Sequence, residues 1–172
     1  MRSLKAAVVA LALIGAVTLA LSTAADPKSA ADRNKALVAR MLDESITGRN
    51  ADKLDDYLSA EYVHHGTGGT ETDRETHKAA AHAYLVAFAD AKFELLDQIA
   101  EGDKVVTRWR FTGTHEGPLE GMPATGKSVA LLGISIHRIE GDRVVEGWEA
   151  SDTLVFLQQL GMLPAPQAQA YD

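Results

Sequence analysis

The spacing of apolar residues changes at residue 92, and this change constrains the fold more than any other feature of the sequence. Before it, residues recur on one side at helical spacing, as in the stripe His77, Ala81, Tyr84 and Phe88. After it, apolar and polar residues alternate, as a half-buried strand requires. Helices followed by an antiparallel meander predict an α+β domain in which the helices cover one face of the sheet.

Three helices are predicted before residue 92. They cover the chain from a polar leader at 26–31 to Gly48, then residues 51–58, then a stretch from Thr72 or Asp73 to about Asp90. Residues 62–65 are expected to be extended. Residues 66–70 contain three glycines, which lose ordering entropy in any regular element, so they are expected to form a loop.

Four strands and a short final helix are predicted after residue 92. The strands cover 92–101, 104–115, 127–140 and 143–151, and the helix covers 153–160 and stops at Gly161. Gly-Asp pairs at 102–103 and 141–142 predict tight hairpin turns. On the second of these strands, Trp109 and Phe111 share one face while Arg108, Arg110 and Thr112 share the other.

Residues 121–128 match the phosphate-loop pattern G-x-x-x-x-G-K-S. A phosphate loop needs a following helix whose N–H groups hold the phosphate. The residues that follow here alternate like a strand, and Pro123 lacks a backbone donor. The sequence therefore predicts a hairpin loop at this position and no nucleotide site.

Composition excludes several classes of function. The chain has 172 residues and no cysteine, which rules out disulfides, thiolate metal sites and cysteine nucleophiles. The formal charge of −7 argues against non-specific nucleic-acid binding, because such binding needs clustered lysine and arginine. The length suits one domain with a short appendage.

The first 25 residues have the three-part layout of a secretory signal peptide. Arg2 and Lys5 form a basic head, residues 6–21 are apolar, and residues 22–25 are small, so cleavage is expected near Ala24 or Ala25. An uncleaved anchor is the alternative, but the apolar run of 16 residues is shorter than the roughly 20 that span a bilayer. The prediction is a secreted or periplasmic protein with no stable membrane insertion after cleavage. It divides the chain into a signal peptide (1–25), a leader (26–31), a domain (32–161) and a C-terminal tail (162–172).

Six histidines are present, and their spacing does not favour a metal site. His77 and His82 are five residues apart, which places them on different sides of a helix. His64 and His65 are adjacent in an extended segment, so at most one of them can face a given cavity. No metal and no other cofactor is predicted.

Asp152 is the carboxylate that the strand pattern singles out. It has the same parity as Trp148 on the last strand, so burial beside apolar groups would raise its pKa and let it exchange protons near neutrality. Asp152 also precedes the helix predicted from Thr153, where it would serve as an N-cap. The sequence leaves both roles open. His115 ends the strand predicted at 104–115, and His137 lies on the neighbouring strand predicted at 127–140. Both could converge with Asp152.

With these elements in place, the sequence resembles the SnoaL-like polyketide cyclases, also called ester cyclases, of the nuclear transport factor 2-like superfamily. The resemblance spans roughly residues 32–161. It is carried by residues 34–43, 48–50, 54–55, 61–65, 102–109, 112–115, 121–127, 133–138 and 145–148, together with Asp152.

The resemblance implies a cone-shaped α+β barrel in which a curved, mostly antiparallel sheet wraps around N-terminal helices and encloses a pocket. It implies a cofactor-independent intramolecular aldol-type cyclisation of a small apolar carbonyl or polyketide-like substrate. Asp152 would exchange protons with the substrate, and His137 and His115 would assist. The expected substrate-binding residues are Tyr62, His64, His65, His77, Tyr84, Phe88, Trp109, Phe111 and Trp148.

Other functions are compatible with the same fold. Polyketide tailoring is expected beside a cytoplasmic synthase, whereas the pattern of residues 1–25 predicts export. A non-catalytic periplasmic module that binds a small molecule is therefore the main alternative, and isomerisation or hydration in the pocket is another. A homodimer formed through the outer sheet face is a further expectation, although Arg108, Arg110 and Thr112 make that face polar.

Overall fold

The structure, a computed structural model, describes residues 27–164. The predicted signal peptide lies outside the described residues. The helical elements are α1 (Pro27–Leu42), which continues into a π-helical turn (Asp43–Thr47), a 3₁₀ helix (Ala51–Asp56), α2 (Arg74–Ala87) and α3 (Thr153–Gln159). None of the helices in this part of the chain is both long and apolar enough to cross a membrane.

The helix boundaries follow local chemistry. The expected leader is already helical from Pro27, because the first turn of a helix tolerates a residue without an N–H group. Gly48 ends the first helical segment as predicted, and its N–H donates to the carbonyl of Asp43. Asp73 caps α2 by accepting from the N–H of Thr76 at 2.8 Å.

The second helix is shorter than predicted. It is a 3₁₀ helix that ends at Asp56, and Leu58 belongs to the first strand instead. The reason is a competing partner, because the carbonyl of Tyr57 accepts from the N–H of Val144 at 2.9 Å and starts pairing between strands.

Six strands form one sheet. They are β1 (Leu58–His65), β2 (Glu71–Asp73), β3 (Lys92–Glu101), β4 (Lys104–Thr114), β5 (Ser128–Glu140) and β6 (Arg143–Ser151). Their spatial order is β2-β1-β6-β5-β4-β3, and every pairing is antiparallel except β1 with β6. The α+β class with a mostly antiparallel sheet is therefore confirmed. The short strand β2 was not predicted.

The hairpin turns and the loop before β5 agree with the sequence patterns. Gly102 and Gly141 adopt positive φ angles of 59° and 63° in the two predicted turns. The segment that resembles a phosphate loop connects β4 to β5 and is followed by a strand. It is a hairpin loop, as predicted.

The inner face of the sheet and the helices form two apolar clusters. One centres on α1 and Tyr62, and the other on Phe88, Trp109 and Phe111. On β4, Trp109 and Phe111 are buried whereas Arg108 and Arg110 are exposed, which confirms the predicted alternation. Residues of both clusters also line a cavity, which therefore lies between them.

Candidate active site in the central cavity

The cavity has a volume of about 640 Å³ and is bounded by α1, α2 and the inner face of the sheet. Most of its walls are apolar. Its aromatic lining consists of Tyr62, Tyr84, Phe93, Trp109, Phe111 and Trp148. A cavity of this volume can enclose a small organic molecule of several rings.

Glycines at two positions let aromatic side chains lie against the sheet. A Cβ atom on Gly133 would lie 2.2 Å from the ring of Trp109, which faces it from β4. A Cβ atom on Gly147 would lie 2.3 Å from the hydroxyl oxygen of Tyr62. Neither distance is tolerated, so both positions require glycine for the aromatic walls to form.

Three histidines from different elements gather in the cavity. They are His64 on β1, His77 on α2 and His137 on β5. The ring centres of His64 and His77 are 4.3 Å apart, and the ring of Tyr62 is centred 5.5 Å from that of His77. The Tyr62 hydroxyl and the Nδ1 of His64 are 3.4 Å apart.

Burial keeps these histidines neutral. It lowers the pKa of His77 to about 3, with the neighbouring imidazoles of His64 and His137 contributing in the same direction. It lowers the pKa of His137 to about 4 and also lowers the pKa of His64. All three side chains are therefore uncharged hydrogen-bonding groups at pH 7.

Glu149 on β6 supplies a carboxyl group to the same cavity. Its side chain is exposed by solvent accessibility and lines the cavity, and desolvation by the surrounding protein raises the pKa of its carboxyl group. The described lining residues include neither lysine nor arginine, so no cationic side chain of the lining offsets the effect. A carboxylate with a raised pKa is a stronger base than an ordinary one, which suits it to accept a proton from an acidic C–H group.

Glu120 is the second acidic residue of the lining. It lies in the loop between β4 and β5 with a positive φ of 47°. Burial raises the pKa of Tyr84 to about 12, and the charges of Glu120 and Glu149 add to this shift. Both carboxylates therefore act on the same region of the cavity.

The structure brings most of the predicted site residues together. Those that line the cavity are Tyr62, His64, His77, Tyr84, Trp109, Phe111, His137 and Trp148. Of the adjacent pair, His64 faces the cavity. His65 stacks on Trp148 with ring centres 5.1 Å apart and lies 2.9 Å from the Glu146 carboxylate. The expectation that only one of the two histidines enters the cavity is confirmed, and the assignment of His65 to substrate binding is not supported by its position.

Asp152 does not line the cavity, although its neighbours Ser151 and Thr153 do. It is exposed, and its Oδ1 accepts from the N–H of Val155 at 3.0 Å as the N-cap of α3. The expectation that Asp152 faces the cavity is wrong, and the capping role is the one observed. Its catalytic role stays a prediction.

The physical cause is a β-bulge between β5 and β6. Ile139 pairs with Val144, but Arg138 pairs with Glu146, so Val145 is an extra residue. An extra residue reverses which side chains face inward beyond it. Beyond the bulge, Glu149 and Ser151 therefore line the cavity and Asp152 does not.

Two other predicted residues belong to the core instead of the cavity. His115 is fully buried, and its Nδ1 lies 3.1 Å from the Thr125 hydroxyl within the loop after β4. Phe88 is fully buried and packs edge-on against Phe111, with ring centres 5.2 Å apart. Both side chains support the cavity wall without lining it.

Glu149 and Ser135 were missed as site residues. The bulge that turns Glu149 inward cannot be recognised from the alternation of residues on β6. Ser135 lies two residues before His137 and therefore on the same face of β5, so the predicted position of His137 could have identified Ser135 as well. Among residues 27–164, no group of three or more histidine, aspartate or glutamate side chains is arranged to hold a metal ion.

Comparison with known proteins identifies the family. The sequence profile of the SnoaL-like polyketide cyclases matches residues 36–160. A search of curated protein sequences gave no significant match.

Solved structures with the same fold come from several bacteria. AclR from Streptomyces galilaeus, named as a candidate hydroxylase, is 26% identical with a TM-score of 0.73 over 80% of this chain and 87% of that one. TsrD from Streptomyces laurentii is 31% identical, with a TM-score of 0.68 over 77% and 97%. IdmH from Streptomyces antibioticus, named as a candidate polyketide cyclase, is 28% identical, with a TM-score of 0.65 over 74% and 98%. The profile match extends over well more than half of the chain, and the fold agrees with it. The chain belongs to the SnoaL-like polyketide cyclase family.

Proposed function

We propose that the protein catalyses cofactor-independent proton transfer on a small, largely apolar carbonyl compound, leading to an intramolecular aldol-type ring closure. One observation carries the proposal: Glu149 places a carboxyl group with a raised pKa in an aromatic cavity whose described lining has no cationic side chain. The family to which the chain belongs supports a cyclase chemistry of this kind.

The ring closure needs one group that first accepts and then returns a proton. The Glu149 carboxylate removes a proton from a carbon between two carbonyl groups, and the resulting enolate attacks another carbonyl of the same molecule. A carbon–carbon bond forms, and the new alkoxide takes the proton back from the Glu149 carboxylic acid. No electrons are gained or lost, and the carboxylate is regenerated.

The surroundings of Glu149 suit this cycle. An ordinary carboxylate is a weak base at pH 7, whereas a carboxylate with a raised pKa is better matched to an acidic C–H group. The side chains of His64, His77 and His137 are neutral. They can therefore donate hydrogen bonds to carbonyl oxygens of the substrate without placing a positive charge beside the Glu149 carboxylate. The aromatic walls hold the substrate in a compact conformation, which favours reaction between its two ends.

The main alternative is a binding module with the same cavity and no turnover. It would retain a ligand through the aromatic walls, and Glu149 would have no chemical role. The two functions differ in what they predict for a carboxyl-to-amide substitution at position 149, because an amide keeps the shape of the side chain but cannot accept the proton.

A proton-exchange assay distinguishes them. The probe is 1-phenylbutane-1,3-dione, whose central C–H is acidic, and deuterium incorporation in D₂O is followed by NMR at fixed buffer concentration. We expect the wild type to accelerate exchange and Glu149→Gln to lose about 100-fold or more of the protein-catalysed rate. Asp152→Asn is the matched control, because asparagine is also a good N-cap.

Each outcome of the assay is decisive. Loss of exchange in Glu149→Gln with retention in Asp152→Asn supports the proposal. Loss of exchange in Asp152→Asn with retention in Glu149→Gln would instead assign the catalytic role to Asp152. Binding of the probe without accelerated exchange by the wild type would favour the binding module.

Two further features are proposed with this function. We propose that the protein is exported, on the basis of the basic head, apolar run and small residues at 1–25. We also propose a homodimer through the outer sheet face, where Ile99, Leu132 and Ile134 are exposed beside Arg108 and Arg110. N-terminal sequencing of the exported protein and light scattering test these two proposals.

A further inference from the structure

One edge of the His64 imidazole contacts protein and the other is open to a ligand. Its Nδ1 lies 3.4 Å from the hydroxyl oxygen of Tyr62, a residue that is only 2% exposed. Its Nε2 has no hydrogen-bond partner among residues 27–164 and is not one of their enclosed polar atoms. Because His64 lines the cavity, a ligand in the cavity can reach this accessible nitrogen.

A glycine keeps the space beside this Nε2 free of a side chain. A Cβ atom on Gly66 would lie 3.8 Å from the Nε2 of His64 and 2.8 Å from the hydroxyl oxygen of Thr70. Gly66 and Thr70 both line the cavity, in the loop between β1 and β2. The imidazole and the hydroxyl therefore border one small region of the cavity wall.

The contact with Tyr62 determines which ring nitrogen of His64 carries the proton. Burial raises the pKa of the Tyr62 phenol, so this hydroxyl keeps its proton and can donate it in a hydrogen bond. Burial lowers the pKa of His64, so the neutral imidazole has one N–H group and one acceptor nitrogen. Nδ1 is the acceptor that the described residues offer to the Tyr62 hydroxyl. The ring proton is therefore on Nε2, which makes Nε2 a donor.

His64 is close to the proposed acid–base residue. Strand β1 runs parallel to β6 with His64 opposite Gly147, and Glu149 lies two residues further along β6. This pairing separates the backbone positions of His64 and Glu149 by roughly 8 Å. Both side chains line the cavity, so a compact carbonyl compound can contact the two of them at once.

We propose that the Nε2–H of His64 and the hydroxyl of Thr70 bind one carbonyl oxygen of the substrate and stabilise the negative charge that develops on it. Two neutral donors suit a carbonyl or enolate oxygen, which accepts hydrogen bonds and cannot donate them. Tyr62 is a positioning residue, because it acts on this oxygen through the tautomer of His64. This inference rests on the proposed function, since it names the groups that hold the carbonyl while Glu149 moves the proton.

Two probes of nearly the same shape test the subsite by binding. The first, 2-acetylnaphthalene, has a carbonyl oxygen where the second, 2-isopropenylnaphthalene, has a methylene group. Dissociation constants are measured by NMR titration. We expect the wild type to bind the ketone about tenfold more tightly, as two modest hydrogen bonds allow. In Thr70→Val, which keeps the shape of the side chain without its hydroxyl, this preference should fall to about threefold or less.

Matched variants separate the subsite from general effects on the cavity. Thr70→Ser keeps the hydroxyl and should keep the preference for the ketone. Thr76→Val removes a hydroxyl from another part of the lining, on α2, and should leave the preference unchanged. Gly66→Ala places a methyl group against the Thr70 hydroxyl and should lower the preference as Thr70→Val does.

The role of Tyr62 is read from the ¹⁵N chemical shifts of the His64 ring. In the wild type, Nε2 should have the shift of a protonated nitrogen and Nδ1 that of an unprotonated one. In Tyr62→Phe the two shifts should move towards each other, because both tautomers become populated. Tyr84→Phe is the matched control, since Tyr84 lines the same cavity without a hydrogen bond to His64, and it should leave the shifts unchanged.

Three results would each overturn the subsite. They are no preference of the wild type for the ketone, an unchanged preference in Thr70→Val, and a wild-type His64 that is protonated on Nδ1. The wild-type tautomer is measured without any variant, so it decides even if Tyr62→Phe does not fold. None of these measurements depends on turnover, so failure of the subsite and failure of the exchange assay on Glu149 can be told apart.

Discussion

Acidification should destabilise this protein between pH 7 and pH 5, because two buried histidines must remain neutral in the folded state. The pKa values of His77 and His137 are lowered to about 3 and about 4, from an ordinary value of 6.5. In the unfolded chain both side chains take up protons below pH 6.5, whereas in the folded protein they do not. The contribution of these two histidines to the free energy of unfolding is therefore fully present above pH 6.5. It is lost as the pH falls toward their pKa values in the folded protein.

The magnitude follows from the size of the shifts. One pKa unit corresponds to about 1.36 kcal/mol, so lowering the pH from 7 to 5 costs about 2 kcal/mol for each histidine and about 4 kcal/mol for the pair. Glu149 acts in the opposite direction. Its pKa is raised in the folded protein, so on acidification the folded protein binds this proton at a higher pH than the unfolded chain does. His64, whose pKa is also lowered by burial, adds to the loss, so the net change should remain about 4 kcal/mol, a large part of the stability of a typical domain.

Urea unfolding at pH 7, 6 and 5 measures this loss. His77→Gln removes one of the two titrating groups, so its loss of unfolding free energy between pH 7 and pH 5 should be about 2 kcal/mol smaller than that of the wild type. His82→Gln is the matched control, because His82 is an exposed histidine on the same helix. Equal pH dependence in the wild type and His77→Gln, or a stability that rises on acidification, would refute the reasoning.

Three further predictions concern the packing and the helix ends, and urea unfolding tests each of them. Gly133→Ala should lower the free energy of unfolding by about 3 kcal/mol, because the added Cβ would overlap the Trp109 ring. Gly141→Ala should lower it by only about 1 kcal/mol, because Gly141 has open space around it and only its positive φ opposes a side chain. Similar losses for the two variants would contradict the packing role of Gly133. Asp152→Ala should lose about 1 kcal/mol and Asp152→Asn almost nothing, and equal losses would refute capping. Arg49→Ala should lose about 2 kcal/mol, since the Arg49 guanidinium donates to two carbonyls at the end of α2; an unchanged midpoint would argue against that anchor.

Local patterns were sufficient to predict most of the fold. The strands β3 and β6 begin and end where the alternation and the Gly-Asp turns place them. The stripe on α2 predicts a common side for His77, Ala81 and Tyr84, and all three line the cavity. These features depend on residues close together in the sequence, so periodicity is enough to find them.

The site itself depends on a long-range detail. Periodicity gives the correct alternation on β6, but the bulge at Val145 decides which half of the alternation faces inward. A bulge is fixed by pairing with a neighbouring strand rather than by the composition of the strand that contains it. For this reason the sequence directed attention to Asp152, whereas the structure presents Glu149. The burial of Phe88 and His115 beneath the wall similarly depends on contacts between distant elements.

The pKa of the Glu149 carboxyl group tests the central claim most directly. It can be measured in the full-length domain by a ¹³C NMR pH titration of the glutamate side-chain carboxyl carbons, with Glu149→Gln used to assign the signal. The account predicts a pKa clearly above the ordinary glutamate value of 4.5, because the group is desolvated and has no cationic partner in the described lining. A pKa at or below 4.5 would contradict it.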